Sequence, residues 1–425
     1  MATVASPRFH EHERPAAVSH SNWLVSSLVG CLVYAIVFIN AADFRGDTGE
    51  EFSVHWQIYF RLMICAICGG TGLLLISKSY RAFVTFPGFL ITLLIAWIGV
   101  TLPFSVDRSY SIAAYISLGA VTMLLPAAMQ ILGGYRYLLV VATGLMTFLV
   151  GSWIAYLVFP EIGIFKEQIT RTEVLERMGG LGHPNELGLY SAFTTVLFAV
   201  LGYGRRLSWL IVIPAMLLGV VTLVACFSRT SMGITVVGLL VVYRKELFTQ
   251  QTVIAALLLA IVLIPPVFVV AGTGGFDWVI GDTLEKLSKS GSADELTTAT
   301  GRTEIWAYAI GRIADQPLHG YGYMTARFVM EKYSYHCHNI VLNMCLNTGV
   351  IGGMVLLSMV LYFVYAIYHD PRYEIDGLVA VILAGGLIDG MLFAAVPSAS
   401  ILIWFSALLW RQLDMQFDPP QPEAD

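Results

Sequence analysis

Four short polar clusters interrupt an otherwise apolar chain, and each holds a side chain able to move a proton or to hold an anion. They are Gly182-His183-Pro184-Asn185-Glu186, Ser228-Arg229-Thr230-Ser231, Gly301-Arg302-Thr303-Glu304-Ile305-Trp306 and His336-Cys337-His338-Asn339. A fifth polar residue, Asp389, lies inside the run Leu387-Ile388-Asp389-Gly390-Met391. A neutral imidazole works as a general base near neutral pH. A guanidinium holds phosphate or carboxylate oxygens with a fixed fork of donors. His338 stands at the start of an apolar run beside Asn339, which sets its ring near a membrane interface. Arg229 sits in a turn whose hydroxyl side chains add donors to its charge. An ionised aspartate inside a span costs roughly 2.5 to 3.5 kcal/mol even on lenient insertion scales, so Asp389 is expected to face a cavity and to orient a His or an Arg.

Metal and thiol chemistry find less support in the same residues. His336 and His338 are two apart, so on a helix they face opposite ways, and no carboxylate cluster adjoins them. No Asp-x-Asp pair occurs anywhere in the chain, which argues against a metal-dependent sugar transferase; no metal and no other cofactor is expected. Cys65-x-x-Cys68 has no second pair and falls inside an apolar stretch, where two cysteines read as small packed residues.

The elements that must position these clusters are membrane spans. In a chain of 425 residues, 57% are hydrophobic and only 12% charged, and the mean hydropathy is +0.73. Soluble domains carry about a quarter charged residues, so membrane lipids are this chain's solvent. A net charge of -5 diluted over many helices gives no basic patch for nucleic acid. The fold class expected is an all-α polytopic membrane protein. A span needs about 20 apolar residues. Such runs occur at about 22 to 40, 56 to 77, 83 to 102, 110 to 132, 136 to 159, 187 to 203, 208 to 227, 230 to 243 and 252 to 271, then at 340 to 368, 377 to 395 and 398 to 413, about twelve in all. The domain reading is a cytoplasmic tail over 1–21, spans 1 to 9 within 22–271, a large outside loop over 272–339, spans 10 to 12 within 340–413 and a second cytoplasmic tail over 414–425. Ser228 to Ser231 is expected to form a tight turn or a re-entrant kink, because 209–242 is too long for one span and too short for two with an ordinary loop. Within the large loop, Ile305, Trp306, Ala309, Ile310 and Ile313 recur at helical spacing, so Thr303 to Gln316 reads as an amphipathic helix that Pro317 ends.

Orientation follows from Lys and Arg in the short loops. With both termini inside, the inner segments hold Arg8, Arg14, Lys78, Arg81, Arg136, Arg205, Arg206, Arg244, Lys245, Arg372 and Arg411, eleven residues, against Arg45, Arg108 and Arg229 in the short outer ones. That asymmetry puts 160–186 and 272–339 outside and sets the four polar clusters at or near the outer ends of the spans, with Asp389 inside an apolar run.

The order of these residues resembles a known family. Ser228-Arg229, then Gly301-Arg302 with Ile305-Trp306, then Pro317 with Gly320-x-Gly322, then His338-Asn339 and Gly349-x-x-Gly352 is similar to the O-antigen ligase and polymerase superfamily of bacterial inner membranes. The upstream His183-Pro184-Asn185 and the single large loop make the ligase branch the nearer likeness. The resemblance implies a GT-C-like fold of about twelve transmembrane helices, with short helices in one large periplasmic loop and a periplasmic active site in a multi-pass protein of the inner membrane. It implies transfer of O-antigen from undecaprenyl pyrophosphate to a sugar hydroxyl of lipid A-core, without nucleotide sugar, metal or cofactor and with inversion at the anomeric carbon. Carried onto this chain, His338 is the candidate general base, and Arg229 and Arg302 are the candidates to meet the leaving pyrophosphate. Separately from the resemblance, a carboxylate that orients a catalytic imidazole would be Asp389, expected to accept the other imidazole N–H of His338. Asn185, Tyr321, Tyr323 and Asn339 are the candidates for binding sugar hydroxyls. The alternatives are an O-antigen polymerase or a protein O-oligosaccharyltransferase of the same superfamily. From another class, a lipid-linked sugar transporter would spread ionisable residues along the midplane of several spans, where this sequence gathers them at span ends and in one loop.

The orientation is tested directly by cysteine labelling. In a cysteine-free background, a single cysteine in the acidic 41–55 segment reacts with a membrane-impermeant maleimide in intact spheroplasts, and one at 205–206 reacts only after permeabilisation. The reverse pattern overturns the assignment.

Overall fold

The computed structural model describes residues 23–42, 56–168, 174–248, 302–331, 334–388, 392–415 and 417. The expected ninth span, the first part of the 272–339 loop, almost all of both tails and Asp389 lie outside the described residues.

The first half comprises α1 (Trp23–Ile39), α2 (Trp56–Leu74), α3 (Ile76–Val84), α4 (Gly88–Thr101) and α5 (Arg108–Val158). A single turn α6 (Pro160–Gly163) leads into β1 (Ile164–Gln168) and β2 (Val174–Met178), then α7 (Pro184–Tyr203), α8 (Trp209–Ala225), α9 (Arg229–Val242) and the single turn α10 (Arg244–Leu247). The later elements are α11 (Arg302–Asp315), α12 (Ala326–Met330), α13 (Ile340–His369), α14 (Tyr373–Ile388) and α15 (Ala399–Gln412). By length and composition α2, α5, α7 and α13 can each cross a membrane, and α3 with the helix beginning at Gly88 makes a fifth if that pair, bent by 91°, is one span. The 51 residues of α5 are interrupted at Gly133 (φ 74°, ψ 163°), between the two stretches expected as separate spans. The all-α expectation omitted one feature: β1 and β2 pair antiparallel, with Phe165 opposite Arg177 and Glu167 opposite Leu175.

α7 is the axis of the bundle. Packed by α8, α9, α14 and α5, it buries almost every residue. Its hydroxyls are kept satisfied inside that apolar setting: Ser191, Thr194 and Thr195 each donate to the carbonyl four residues back, at 2.7, 2.8 and 2.8 Å. The remaining core is large and aromatic, with Trp404, Trp410, Tyr137, Phe193 and Phe363 all fully buried.

One end of the bundle is locked by charge. Asp376, fully buried in the first turn of α14, receives Arg244 at 3.0 Å and Arg411 at 2.5 Å, and the Arg372 backbone N–H donates to it at 2.7 Å. Arg206 lies over the rings of Tyr135 and Phe417 at 5.7 and 5.6 Å, and Arg411 also donates to the Asp370 carbonyl at 2.9 Å. Arg206, Arg244, Arg372 and Arg411, which the charge pattern groups on the inner side, thus meet at one end. α9 carries the chain from Arg229 to this end over 14 residues, about 21 Å at 1.5 Å per residue. Removing the carboxylate leaves two guanidiniums facing a buried gap. Asp376→Ala should cost about 3 kcal/mol, read as a lowered melting temperature of the detergent-solubilised protein, with Asp376→Asn falling between.

Candidate active site at the opposite end of the bundle

α9 starts at Arg229 because the chain turns sharply just before it. α8 ends at Ala225, and Phe227 takes a left-handed conformation, φ 50°, which costs a bulky residue about 1–2 kcal/mol. Ser228 follows, its Oγ 2.7 Å from Oγ of Ser231. The tight turn expected at Ser228 to Ser231 lies slightly earlier, at Cys226 to Ser228, and Arg229, Thr230 and Ser231 are already the first turn of α9. Arg229 is half-buried and occupies the first position of a 14-residue helix, so its guanidinium and the first N–H groups of α9 form a positive pole suited to an anion. The first turns of α7, just after the 182–186 cluster, pack against this turn: a Cβ on Gly188 would meet Ser228 and Ser231 at 2.7 Å. His183 caps α7, its Nδ1 accepting from the Asn185 N–H at 3.2 Å. Oδ1 of Asn185 accepts from the guanidinium of Arg177 at 3.1 Å.

Arg302 is the first residue of α11, so both candidate arginines stand at helix starts. The amphipathic helix expected over 303–316 is α11, shifted by one residue. One turn on from Arg302, Trp306 donates its indole N–H to the carbonyl of Cys337 at 2.9 Å, which ties the start of α11 to the loop that carries His338. His338 itself is left-handed, φ 51°, and its Nε2 lies 3.1 Å from Oγ of Ser334. The His336 ring sits 4.2 Å from that of His338, and Nδ1 of His336 accepts the His338 backbone N–H at 3.2 Å. Among the described residues no group of three or more His, Cys, Asp and Glu could hold a metal ion. The Cys337 thiol is buried, and burial, with Cys345 nearby, pushes its pKa up to about 12. It is therefore a protonated thiol at neutral pH and no nucleophile.

Asn339 caps α13: its Oδ1 accepts from the N–H groups of Val341 and Leu342, both at 3.0 Å, and its Nδ2 donates to the Leu387 carbonyl at 3.3 Å. The C-terminal end of α14 therefore lies beside the His338 loop. The same end touches α9: a Cβ on Gly385 would be 3.3 Å from Ile234, and one on Gly386 would be 2.7 Å from Ile340. α14 thus stands between the helix that Arg229 starts and the helix that His338 precedes. Asp389 comes two residues after Leu387 and lies outside the described residues.

Tyr321 and Tyr323 are placed differently. The hydroxyl of Tyr321 donates to the Arg312 carbonyl at 3.1 Å, the Arg312 guanidinium lies over its ring at 5.1 Å, and burial raises its phenol pKa. Tyr323 is 1% exposed and packs in the main core against Phe393, ring centroids 6.4 Å apart. Both belong to a turn that straps a break in α13. At Thr348 and Gly349 (φ 74°) the helix is non-helical, and donors from elsewhere meet the carbonyls beside the break. Tyr321 N–H donates to Leu346 at 3.0 Å and Gly322 N–H to Asn347 at 2.8 Å, while the Trp97 indole donates to Thr348 at 2.8 Å. A broken helix is tolerated at membrane depth only with such replacement partners. A Cβ on Gly349 would stand 2.0 Å from the Leu318 carbonyl oxygen, so the Gly320-x-Gly322 and Gly349 motifs form one close contact.

Residues 214–357, about a third of the chain, match the family described as O-antigen ligase. That segment is similar to the O-antigen ligase family. No curated protein was matched. Members of the superfamily are glycosyltransferase-like enzymes. The matched segment holds Arg229, Arg302, Tyr321, Tyr323, His338 and Asn339, while Asn185 and Asp389 fall outside it. Sequence reasoning missed Arg177, whose side chain is 2% exposed and pairs with Glu167 at 2.6 Å. The signal was the antiparallel hairpin itself, which sets Glu167 and Arg177 diagonally on one face.

Asn339 offers a separable test. Asn339→Asp preserves the cap and should leave the melting temperature within a few degrees of wild type, whereas Asn339→Ala should lose about 1 kcal/mol. Asn339→Asp removes every Nδ2 donor, the bond to Leu387 included, so lost transfer activity in a folded variant shows that the amide N–H is needed, and full activity assigns the residue to the cap alone.

Proposed function

We propose that this protein is an O-antigen ligase, moving O-antigen from undecaprenyl pyrophosphate to a sugar hydroxyl of lipid A-core at the periplasmic face of the bacterial inner membrane. The observation that carries the reading is the meeting of three distant segments at one bundle end, made by the Trp306 bond to Cys337 and by the contacts of α14 with Ile234 and Ile340. These contacts support a site to which α9 and α11, begun by Arg229 and Arg302, and the loop of His338 all contribute.

The chemistry follows from the side chains. A sugar hydroxyl replaces Ser334 as the partner of Nε2 of His338, which takes the hydroxyl proton as the oxygen attacks the anomeric carbon. A new glycosidic C–O bond forms, the bond from that carbon to the pyrophosphate oxygen breaks, and undecaprenyl pyrophosphate leaves with the electron pair. Charge grows on the leaving oxygens during this step, so donors aimed there act on the transition state. Arg229 and Arg302 supply them, each backed by the positive start of its helix. With base and leaving group on opposite faces of the sugar, the centre is inverted. Asp389 is assigned to the imidazole N–H at Nδ1, where a carboxylate fixes the tautomer and raises the basicity of Nε2. That placement is supported by the Asn339 bond to Leu387, two residues before it.

The experiment is transfer in proteoliposomes supplied with purified lipid-linked O-antigen and lipid A-core. His338→Ala should reduce glycosylated product by at least about 100-fold while the donor remains intact. Arg302→Lys should also be impaired, because an ammonium keeps the charge and loses the fork. Normal product from His338→Ala removes it as the base, and elongation of free O-antigen in place of lipid A-core assigns the polymerase reaction instead.

A further inference from the structure

We infer that Arg177 is a positioning residue for the transfer reaction, a clamp that holds the strained turn from which Arg229 starts; the inference rests on the role proposed above for Arg229. Arg177 lies on β2, and its guanidinium is committed to protein acceptors on three separate segments. Nε donates to the Cys226 carbonyl at 2.9 Å, Nη1 to Oε2 of Glu167 at 2.6 Å and Nη2 to Oδ1 of Asn185 at 3.1 Å. A longer contact from Nη2 reaches the Phe227 carbonyl at 3.4 Å. The side chain is 2% exposed, so it meets no ligand directly.

The segment it grips is the strained one. Phe227 is held at φ 50°, a conformation that a bulky side chain avoids unless its surroundings impose it. Two of the four acceptors of Arg177 are the carbonyls of Cys226 and Phe227, so the guanidinium fixes the backbone immediately before Ser228 and Arg229. Glu167 anchors the other side of the fork to β1, two residues from the position opposite Arg177. The hairpin is thereby tied, through one buried cation, to the turn from which α9 starts. The same fork orients Asn185: with its Oδ1 engaged, the amide turns only Nδ2 donors to a ligand. The start of α7 and the start of α9 are set relative to each other by a residue belonging to neither.

A fork of this kind has no lysine equivalent, since one ammonium cannot span three planar acceptors. The test is a double-mutant cycle of Arg177→Lys with Arg229→Lys, with kcat and KM for lipid-linked O-antigen measured in proteoliposomes beside the melting temperature of each protein. The expected result is a kcat loss on the order of 100-fold in Arg177→Lys with KM changed by no more than about threefold, and a double variant no slower than Arg229→Lys alone. Losses that multiply, or wild-type kcat in Arg177→Lys, overturn the clamp while the transfer reading stands. Wild-type kcat in Arg229→Lys instead removes the reading on which the clamp rests. If Arg177→Lys does not fold, Glu167→Gln replaces it in the cycle: it loosens one arm of the fork, and a kcat loss that vanishes in the Arg229→Lys background supports the clamp, while an additive or absent loss overturns it.

Discussion

Close glycine contacts along α14 set the positions of everything around it. Near one end Gly377 and Gly238 of α9 approach so closely that a Cβ on Gly377 would lie 2.4 Å from Val242 and one on Gly238 would lie 2.6 Å from Val381. Near the other, Gly385 and Gly386 touch Ile234 and Ile340. In lipid no hydrophobic force selects one apolar helix face over another, so fit between backbones and side chains decides which helices meet. The glycines choose α9 and α13 as the neighbours of α14 and fix their height along it. Because Arg229 starts one neighbour and His338 precedes the other, this contact also sets how the start of α9 lies relative to the start of α13.

The two ends of the bundle then serve different purposes. At one, Asp376 takes the ion pairs of Arg244 and Arg411 and holds α10, α14 and α15 together. At the other, the chain accepts local cost. Phe227 and His338 both sit in left-handed conformations, and α13 is broken at Thr348 and Gly349. Each of these costs is met by a specific partner: the Arg177 bonds at the first, the Asn339 cap and the Trp306 indole beside the second, and the strap of Tyr321, Gly322 and Trp97 at the third. Strain gathered at one end and stabilising pairs at the other is the pattern expected where rigidity must support a site.

What could be read from residues was what repeats locally. Helical periodicity found α11 to within a residue at its start, and span length forced a turn near Ser228 to Ser231, which the structure places at Cys226 to Ser228 between α8 and α9. The order of polar clusters carried the resemblance that the match over 214–357 bears out. Contacts between segments far apart in sequence left no such trace. Nothing near Trp306 announces the Cys337 carbonyl, 31 residues on. Tyr321 was legible as a tyrosine near an interface, yet its hydroxyl is engaged by the Arg312 carbonyl and its backbone by the break in α13. Arg177 went unnoticed because three of its four partners are carbonyls and an amide, which have no sequence signature, and because the hairpin that sets it beside Glu167 was read as loop.

The central claim is that imidazole and guanidinium groups from separate segments face one diphosphate-linked sugar. The most direct measurement is an electron cryomicroscopy structure of the full-length protein with a non-transferable undecaprenyl-pyrophosphate-linked sugar bound. The predicted result is pyrophosphate oxygens within about 3 Å of the guanidiniums of Arg229 and Arg302, with the His338 imidazole on the opposite face of the first sugar. A pyrophosphate held elsewhere, with His338 turned away from the anomeric carbon, would contradict it.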